Sequence, residues 1–143
     1  MLSNIMMVRS MREELTQGGF KELLTPADVD AFMADKTGTA LLFINSVCGC
    51  AAGNARPGAL MALQHSQRPD RLVTVFAGQD VDATARARSY ISPIPPSSPS
   101  IALFKDGNLV YFMPRQNIEG RDANAVASDL QAAFAEHCAM SSV

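Results

Sequence analysis

Two apolar runs of strand length, separated by a helical segment, form the clearest pattern of the chain. The runs are Thr39–Asn45 (TALLFIN) and Leu72–Ala77 (LVTVFA). Apolar runs of this length are typical of strands that are buried on both faces of a sheet. Between them, Ala51–Gln67 carries apolar residues at helical spacing, and Pro57 predicts a kink in that helix. The order strand, helix, strand predicts a βαβ unit with parallel strands and a right-handed crossover.

Two helices and a short extended segment are predicted before this unit. The first helix covers residues 3–17, and the extended segment covers Glu22–Leu24. A second helix follows, because an N-cap residue, a proline and an acidic residue mark its start, and Gly38 marks its end. The three residues at its start are Thr25, Pro26 and Asp28.

The chain after the second strand combines a proline-rich turn with a hairpin signal. The segment SPIPPSSPS is too rich in proline for a helix or a central strand. An Asp-Gly pair between two apolar runs then predicts a β-hairpin. The predicted elements are a helix over Val81–Tyr90 opened by Asp80, strands over Ile101–Phe104 and Leu109–Met113, and a helix over Ala123–His137.

Together these elements predict a single α/β domain over residues 1–143, with a central mixed β-sheet flanked by helices and an N-terminal helical extension. The net charge of −2, without a basic run, argues against a nucleic-acid partner. Only four apolar residues in a row precede Arg9, too few for a secretory signal, and no segment is long enough to span a membrane. We therefore expect a cytoplasmic protein with no membrane partner.

Two of the three cysteines, Cys48 and Cys50, lie between the first buried strand and the helix that follows it. In a reducing compartment, a close cysteine pair is more often redox-active or metal-binding than structural. The N–H groups and the dipole of a helix N-terminus stabilise an anion, so they lower the pKa of a thiol placed there. Because the thiolate is the attacking species in disulfide exchange, this position favours a nucleophile.

The spacing of the pair, with only Gly49 between the two cysteines, predicts how a disulfide would behave. The ring is one residue shorter than in a CxxC motif, and glycine relaxes the backbone constraint on its closure. The bond should be strained and easily reduced, which favours an oxidant or an isomerase over a strong reductant. Alternatively, the ring rarely closes and Cys48 acts by a monothiol route.

Other interpretations of these residues remain open at this stage. The cysteines can be two buried apolar residues, or they can bind a metal together with His137 and Cys138, although CxC is a poor match to usual ligand spacing. Cys138 itself is either a remote resolving thiol or an incidental exposed cysteine. His65 is either a base near the thiols or a solvated side chain. Arg56 either holds the thiolate or an anionic substrate, or is a surface arginine. Asp80 is more easily explained as an N-cap than as an acid catalyst.

The predicted element order resembles the thioredoxin fold, and several segments in order resemble the bacilliredoxins, thioredoxin-like bacterial proteins with a CGC active site. The segments are MREELTQGGFKEL, NSVCGCAAGNARPG, VTVFAGQD, PPSSPSIALFKDG, PRQNIEGRD and AAFAEHC. The resemblance implies removal of bacillithiol from S-bacillithiolated client proteins, or disulfide isomerisation, with bacillithiol as a substrate and no cofactor. It implies that Cys48 attacks, that Cys50 is its partner, and that Ser98-Pro99 is a cis-proline element beside them.

The chain also departs from ordinary thioredoxins, because it has no tryptophan and its strand TALLFIN lacks a buried carboxylate. A dithiol reductase recycled by thioredoxin reductase is therefore less favoured. The leading hypothesis is a thiol–disulfide oxidoreductase that forms transient mixed disulfides with its clients. A metal- or cluster-binding module is the second hypothesis, and a partner-binding domain that senses oxidation without turnover is the third.

Overall fold

The helices and strands of the computed structural model, which describes residues 2–139, follow the predicted order. The helices are α1 (Leu2–Thr16), α2 (Pro26–Ala34), α3 (Arg56–Ala62), α4 (Val81–Ser89) and α5 (Ala123–His137). The strands are β1 (Lys21–Glu22), β2 (Thr39–Asn45), β3 (Arg71–Phe76), β4 (Ser100–Lys105) and β5 (Asn108–Met113). A π-helical turn, Ala51–Ala55, leads into α3, and a short 3₁₀ turn, Arg115–Asn117, follows β5.

The five strands form one mixed sheet in the order β1-β3-β2-β4-β5. Strands β1 and β2 pair with β3 in parallel, and β4 pairs with both β2 and β5 in antiparallel fashion. The predicted parallel βαβ unit and the predicted hairpin are therefore both confirmed. All seven residues of β2 are buried, because this strand lies at the centre of the sheet with helices on both faces.

The side chains of β2 alternate between two apolar cores, one on each face of the sheet. The first core lies under α3 and α5 and includes Leu41, Phe43, Ala59, Leu130 and Phe134. The second lies under α2 and α4 and includes Leu42, Ile44, Val29, Ala83 and Ala87. The helices on both faces therefore hold the end of β2, and the cysteines that follow it, in a fixed place.

The helix after the cysteines differs from the prediction in its shape and its end. It ends at Ala62 instead of Gln67. The expected disturbance at Pro57 takes the form of the π-helical turn just before α3. Proline has no N–H to donate to the preceding turn, and a π-turn is one way for a helix to accommodate the missing bond.

Two predicted helix boundaries also need correction. Helix α2 begins with the predicted N-cap Thr25, which forms a capping box with Asp28. It ends at Ala34, and Gly38 instead has a φ of 69° just before β2. Asp80 occupies the N-cap position of α4, but its side chain accepts no hydrogen bond from the N–H groups of that helix. Its carboxylate accepts a hydrogen bond of 2.7 Å from Arg12 of α1, because a charged donor is a stronger partner than a backbone N–H.

The proline-rich segment and the hairpin turn have the expected backbone conformations. The Ser98-Pro99 peptide bond is cis, as the resemblance implied, and Ser92-Pro93 is cis as well. In the hairpin turn, Asp106 and Gly107 have φ values of 51° and 83°. Positive φ at both central residues is the geometry that favours Asp-Gly in a two-residue hairpin. Among residues 2–139, no helix is both long and apolar enough to cross a membrane.

Candidate active site around Cys48 and Cys50

Cys48 directly precedes Gly49 and Cys50, the helical residues that lead into the π-helical turn Ala51–Ala55. Its carbonyl oxygen accepts hydrogen bonds from the N–H groups of Ala51 (3.1 Å) and Ala52 (3.2 Å), which are the first bonds of the helix. Its own N–H donates to Oγ of Ser46 at 3.2 Å. The sulfur therefore sits where unpaired N–H groups of a helix start are available to an anion.

The surroundings of Cys48 favour the thiolate. Burial alone would raise the pKa of this thiol, but a hydrogen bond from Ser46 opposes it. The backbone N–H groups of Ala51 and Cys50 and the charge of Arg115 lower it further. The pKa of Cys48 therefore lies below its usual value, which raises the thiolate fraction near neutral pH.

Cys50 has the opposite shift, although it lies only two residues away. Burial raises its pKa first, and the charge of Cys48 and a hydrogen bond to Cys48 raise it further. The charge of Arg115 lowers the pKa of Cys50 and the charge of Glu119 raises it, and the net shift is upward. Both cysteines are free thiols in the structure, and their surroundings shift their pKa values in opposite directions.

Arg115, in the 3₁₀ turn after β5, connects the cysteines with the cis-proline segment. Its Nη2 lies 3.7 Å from Sγ of Cys50, and its Nη1 donates to the carbonyl oxygen of Ser98 at 3.1 Å. Its backbone N–H donates to Oγ of Ser97 at 3.3 Å, and its Nε lies 3.4 Å from Glu119. The sequence reasoning missed this residue as a site candidate. The only signal for it was its place in the segment PRQNIEGRD, one of the segments that carried the family resemblance.

The surface above the cysteines is open, whereas the proline behind them is buried. Apart from the adjacent residues and the backbone of the same helical turn, no heavy atom lies within 4 Å of the position that a Cβ would take at Gly49, and Gly53 is equally open. Pro99 is buried, and Ser98 is half-buried. The structure thus brings Cys48, Gly49, Cys50 and Ser98-Pro99 together through Arg115, and it leaves space for a substrate on the solvent side.

Arg56 is not the surface arginine that was expected by default. Only 2% of the residue is exposed, and its Nε binds Oε1 of Glu14 at 2.7 Å. Its Nη1 donates to Oδ1 of Asn45 and to the carbonyl oxygen of Ser46, both at 2.9 Å. A guanidinium buried this way presents no surface to an anionic substrate. The substrate contact considered for Arg56 therefore needs correction: this cation lies beneath the active-site loop, and Arg115 is the cation at the sulfurs.

Cys138 lies at the opposite end of the sheet from the other cysteines. It is 5% exposed, which corrects the expectation of an exposed thiol, and burial raises its pKa. It hydrogen bonds to Thr39, which begins β2, whereas Cys48 follows Asn45, which ends it. At about 3.3 Å per residue, these two ends are about 20 Å apart. Cys138 is therefore neither a resolving thiol for Cys48 nor a shared metal ligand.

The two histidines also lie outside the site. His65 is exposed, as the solvated alternative expected. His137 is the last residue of α5, next to Cys138, and its imidazole lies 3.7 Å from Glu136. Within residues 2–139, no group of three or more His, Cys, Asp and Glu side chains is placed to hold a metal ion. The tetrahedral site suggested by the sequence is therefore wrong, because its ligands are divided between two ends of the sheet.

Replacing Arg115 with glutamine is expected to slow alkylation of Cys48 at mildly acidic pH. The charge of Arg115 lowers the pKa of Cys48, so its loss leaves less thiolate as the pH falls. The rate with iodoacetamide should fall roughly two- to threefold, as expected for an exposed charge pair. Arg121→Gln is the matched control, because Arg121 pairs with Asp129 of α5 instead. Equal rates in the Arg115 variant and the parent at every pH would contradict this role.

The chain matches the family model described as "Disulphide isomerase" over residues 4–138. It is 57% identical to a bacilliredoxin of Halalkalibacterium halodurans over 131 residues, which cover 92% of this chain and 91% of the relative. It is 55% identical to a bacilliredoxin of Cytophaga hutchinsonii over 130 residues, covering 91% and 96%.

Solved thioredoxin structures share the fold at low sequence identity. A thioredoxin of Fasciola hepatica superposes with a TM-score of 0.55 at 19% identity, covering 82% of this chain and 99% of that one. The oxidised thioredoxin of Plasmodium falciparum gives 0.56 at 15% identity, covering 85% and 100%. The predicted thioredoxin-like fold is therefore confirmed. With the sequence matches, it shows that the chain belongs to the bacilliredoxin family and is a thiol–disulfide redox protein.

Proposed function

We propose that the protein removes bacillithiol from S-bacillithiolated client proteins, with Cys48 as the attacking thiol and Cys50 as its partner. The observation that carries this proposal is the position of Cys48 beside Ser46 at the start of the helix, with Arg115 at the neighbouring Cys50, in a chain 57% identical to a bacilliredoxin. The surroundings lower the pKa of Cys48 and raise that of Cys50. An attacking thiol must be ionised near ambient pH, whereas a partner that keeps its proton does not compete for the substrate. The two environments thus support a division of labour within the CGC motif.

The first step of the proposed reaction is a disulfide exchange. The Cys48 thiolate attacks the bacillithiol sulfur of the mixed disulfide, and a new bond forms between that sulfur and Sγ of Cys48. The bond between bacillithiol and the client sulfur breaks, and the client sulfur leaves with the electron pair and takes up a proton. One disulfide is lost and one is formed, so this step needs no external oxidant or reductant.

The second step releases bacillithiol by one of two routes. In the dithiol route, Cys50 loses its proton and attacks Sγ of Cys48, which yields a Cys48–Cys50 disulfide and free bacillithiol. In the monothiol route, a second molecule of bacillithiol attacks the bacillithiol sulfur of the adduct. The bond from that sulfur to Sγ of Cys48 breaks, bacillithiol disulfide forms, and Cys48 leaves as the thiolate. Burial and the charge of Cys48 raise the pKa of Cys50, and adduct formation removes the second of these causes. The dithiol route is thereby favoured only after Cys48 has reacted.

The proposed partners follow from the same chemistry. Client proteins would bind through transient mixed disulfides over the open surface at Gly49, beside Ser98, Pro99 and Arg115. The reaction uses protein thiols and bacillithiol as a substrate, with no resident cofactor, no nucleic acid and no membrane. A reducing compartment such as the cytoplasm would keep Cys48 free to attack.

Disulfide isomerisation is a second candidate function, because the matching family model carries that description. The same Cys48 thiolate would attack a protein disulfide instead of a bacillithiol adduct. The client thiolate released in that attack would open a second disulfide of the client and pair with one of its cysteines. The other cysteine of that disulfide would then attack the mixed disulfide, form a new pair with the client sulfur and release the Cys48 thiolate. The two activities share the nucleophile and differ in which sulfur accepts the attack.

A comparison of three substrates tests the proposal. One client protein is prepared with a single bacillithiol mixed disulfide, the same client is prepared with glutathione, and a third protein contains scrambled disulfides. Mass spectrometry measures the release of the free client thiol, and the recovery of native function of the third protein measures isomerisation. We expect the bacillithiol adduct to react fastest. Equal rates with glutathione would contradict bacillithiol specificity, a faster scrambled substrate would favour isomerisation, and no turnover at all would favour the oxidation sensor.

A further inference from the structure

The largest fully buried side chain of the described structure is a charged one, Arg56. A guanidinium does not lose its proton in proteins, so this charge is present at every working pH. Burying an ion costs several kcal/mol unless partners compensate it. A residue with this cost, in the helix that follows the cysteines, calls for a structural or functional reason.

The contacts of Arg56 join three separate parts of the chain. Its Nε binds Glu14 of α1 at 2.7 Å, and its Nη1 binds both Oδ1 of Asn45 and the carbonyl oxygen of Ser46 at 2.9 Å. Oδ1 of Asn45 also accepts from the N–H of Ser46 at 2.8 Å. The guanidinium therefore ties α1 and the last residue of β2 to the helix from which it extends.

Ser46 provides the link from this network to the reacting sulfur. Its Oγ accepts the N–H of Cys48 at 3.2 Å, and its hydroxyl also hydrogen bonds to the thiol of Cys48. The hydrogen bonds of Arg56 end at Asn45 and Ser46, so any effect on Cys48 passes through them. The charged or titratable groups that do face the two sulfurs are Arg115 and Glu119, besides the thiols themselves.

We propose that Arg56 is a positioning residue that holds Asn45 and Ser46 in the geometry in which Ser46 and the helix N–H groups meet Cys48. The planar guanidinium reaches Glu14 with one nitrogen and the loop with another. A lysine has the same charge but only one compact donor group, so it cannot bridge both sides in this way. The proposal rests on the proposed function only in taking Cys48 as the reacting thiol.

The test measures alkylation of Cys48 as a function of pH in a Cys50→Ala background, with mass spectrometry locating the label. We expect Arg56→Lys and Arg56→Met to slow alkylation at mildly acidic pH to a similar extent. The loss should be roughly tenfold, equivalent to about 1.4 kcal/mol. Arg12→Lys is the control, because Arg12 also ties α1 to the sheet region but pairs with Asp80 and Glu22. It should alkylate like the parent.

Two results would overturn the proposal. If both Arg56 variants fold and alkylate like the parent, the buried arginine is purely structural. If Arg56→Lys alkylates at the rate of the parent and Arg56→Met does not, the positive charge alone maintains the reactivity of Cys48, and the two-sided hydrogen bonding of the guanidinium is not needed. Because alkylation needs no bacillithiol, neither result bears on the proposal that bacillithiol is the substrate.

A second pair of variants applies if the Arg56 variants fail to fold. The Glu14 side chain is 35% exposed, so its replacement is tolerated more easily. Glu14→Gln keeps an acceptor for Nε of Arg56 and should alkylate like the parent. Glu14→Ala removes that acceptor and should slow alkylation of Cys48. Equal rates in these two variants would contradict the positioning role.

Discussion

Replacing Cys48 with alanine is expected to abolish release of bacillithiol from a modified client, because no other thiolate is placed to attack it. Cys50 has a raised pKa, and Cys138 is buried at the far end of β2. Mass spectrometry of the client, taken over time with equimolar protein, should show no loss of the bacillithiol mass. Persistent full activity of the Cys48→Ala variant would disprove the mechanism.

The Cys50→Ala variant is the matched control for this experiment. It keeps the thiolate of Cys48 with its bonds to Ser46 and to the helix start, so at least one turnover should remain. The bacillithiol mass should then appear on Cys48 and persist until another thiol removes it. Rapid loss of this adduct without added thiol would contradict the role of Cys50 as the resolving partner.

Replacing Gly58 with alanine is expected to lower the free energy of unfolding by about 2 kcal/mol, the usual cost of overpacking a core. A Cβ at Gly58 would lie 2.7 Å from Cβ and Cγ1 of Val126 and 3.0 Å from the carbonyl oxygen of Ala123. Helix α5 would have to move away from the helix that follows the cysteines. Chemical denaturation followed by circular dichroism measures the change.

Two further variants separate this close contact from the general effect of a glycine substitution. Gly53→Ala is made in the π-helical turn that leads into α3, where no atom from elsewhere in the fold lies within 4 Å of the added Cβ, and it should stabilise the protein by about 0.5 kcal/mol. Combining Gly58→Ala with Val126→Ala removes the clashing atoms and should restore part of the lost stability. A Gly58→Ala protein as stable as the Gly53→Ala protein would contradict the tight packing of α3 on α5.

Several features of the fold were predictable because they depend on neighbouring residues alone. The apolar run Thr39–Asn45 has the bounds of β2, and Ala123–His137 has the bounds of α5. The Asp-Gly signal predicted the hairpin turn, because few residues adopt a positive φ at low cost. The position of Cys48 between a strand and a helix likewise predicted a thiol at a helix start.

Other features were not predictable because the decisive partner is far away in the sequence. Arg115 reaches Cys50 across 65 positions, and Arg56 binds Glu14 across 42. Each arginine alone is typical of a solvated surface. Asp80 has a helix N-cap position, but the approach of Arg12 gives its carboxylate a charged partner instead.

The sequence by itself therefore determined the order of the elements and the chemistry available at the end of β2. Apolar periodicity, turn residues and the CGC motif act over a few residues, so their consequences follow from local propensities. Only the tertiary structure decided which cysteines share a site, which arginine faces the sulfurs and which lies beneath them. Those outcomes depend on how the hairpin and α1 pack around β2, and burial and charge at the thiols arise only from that packing.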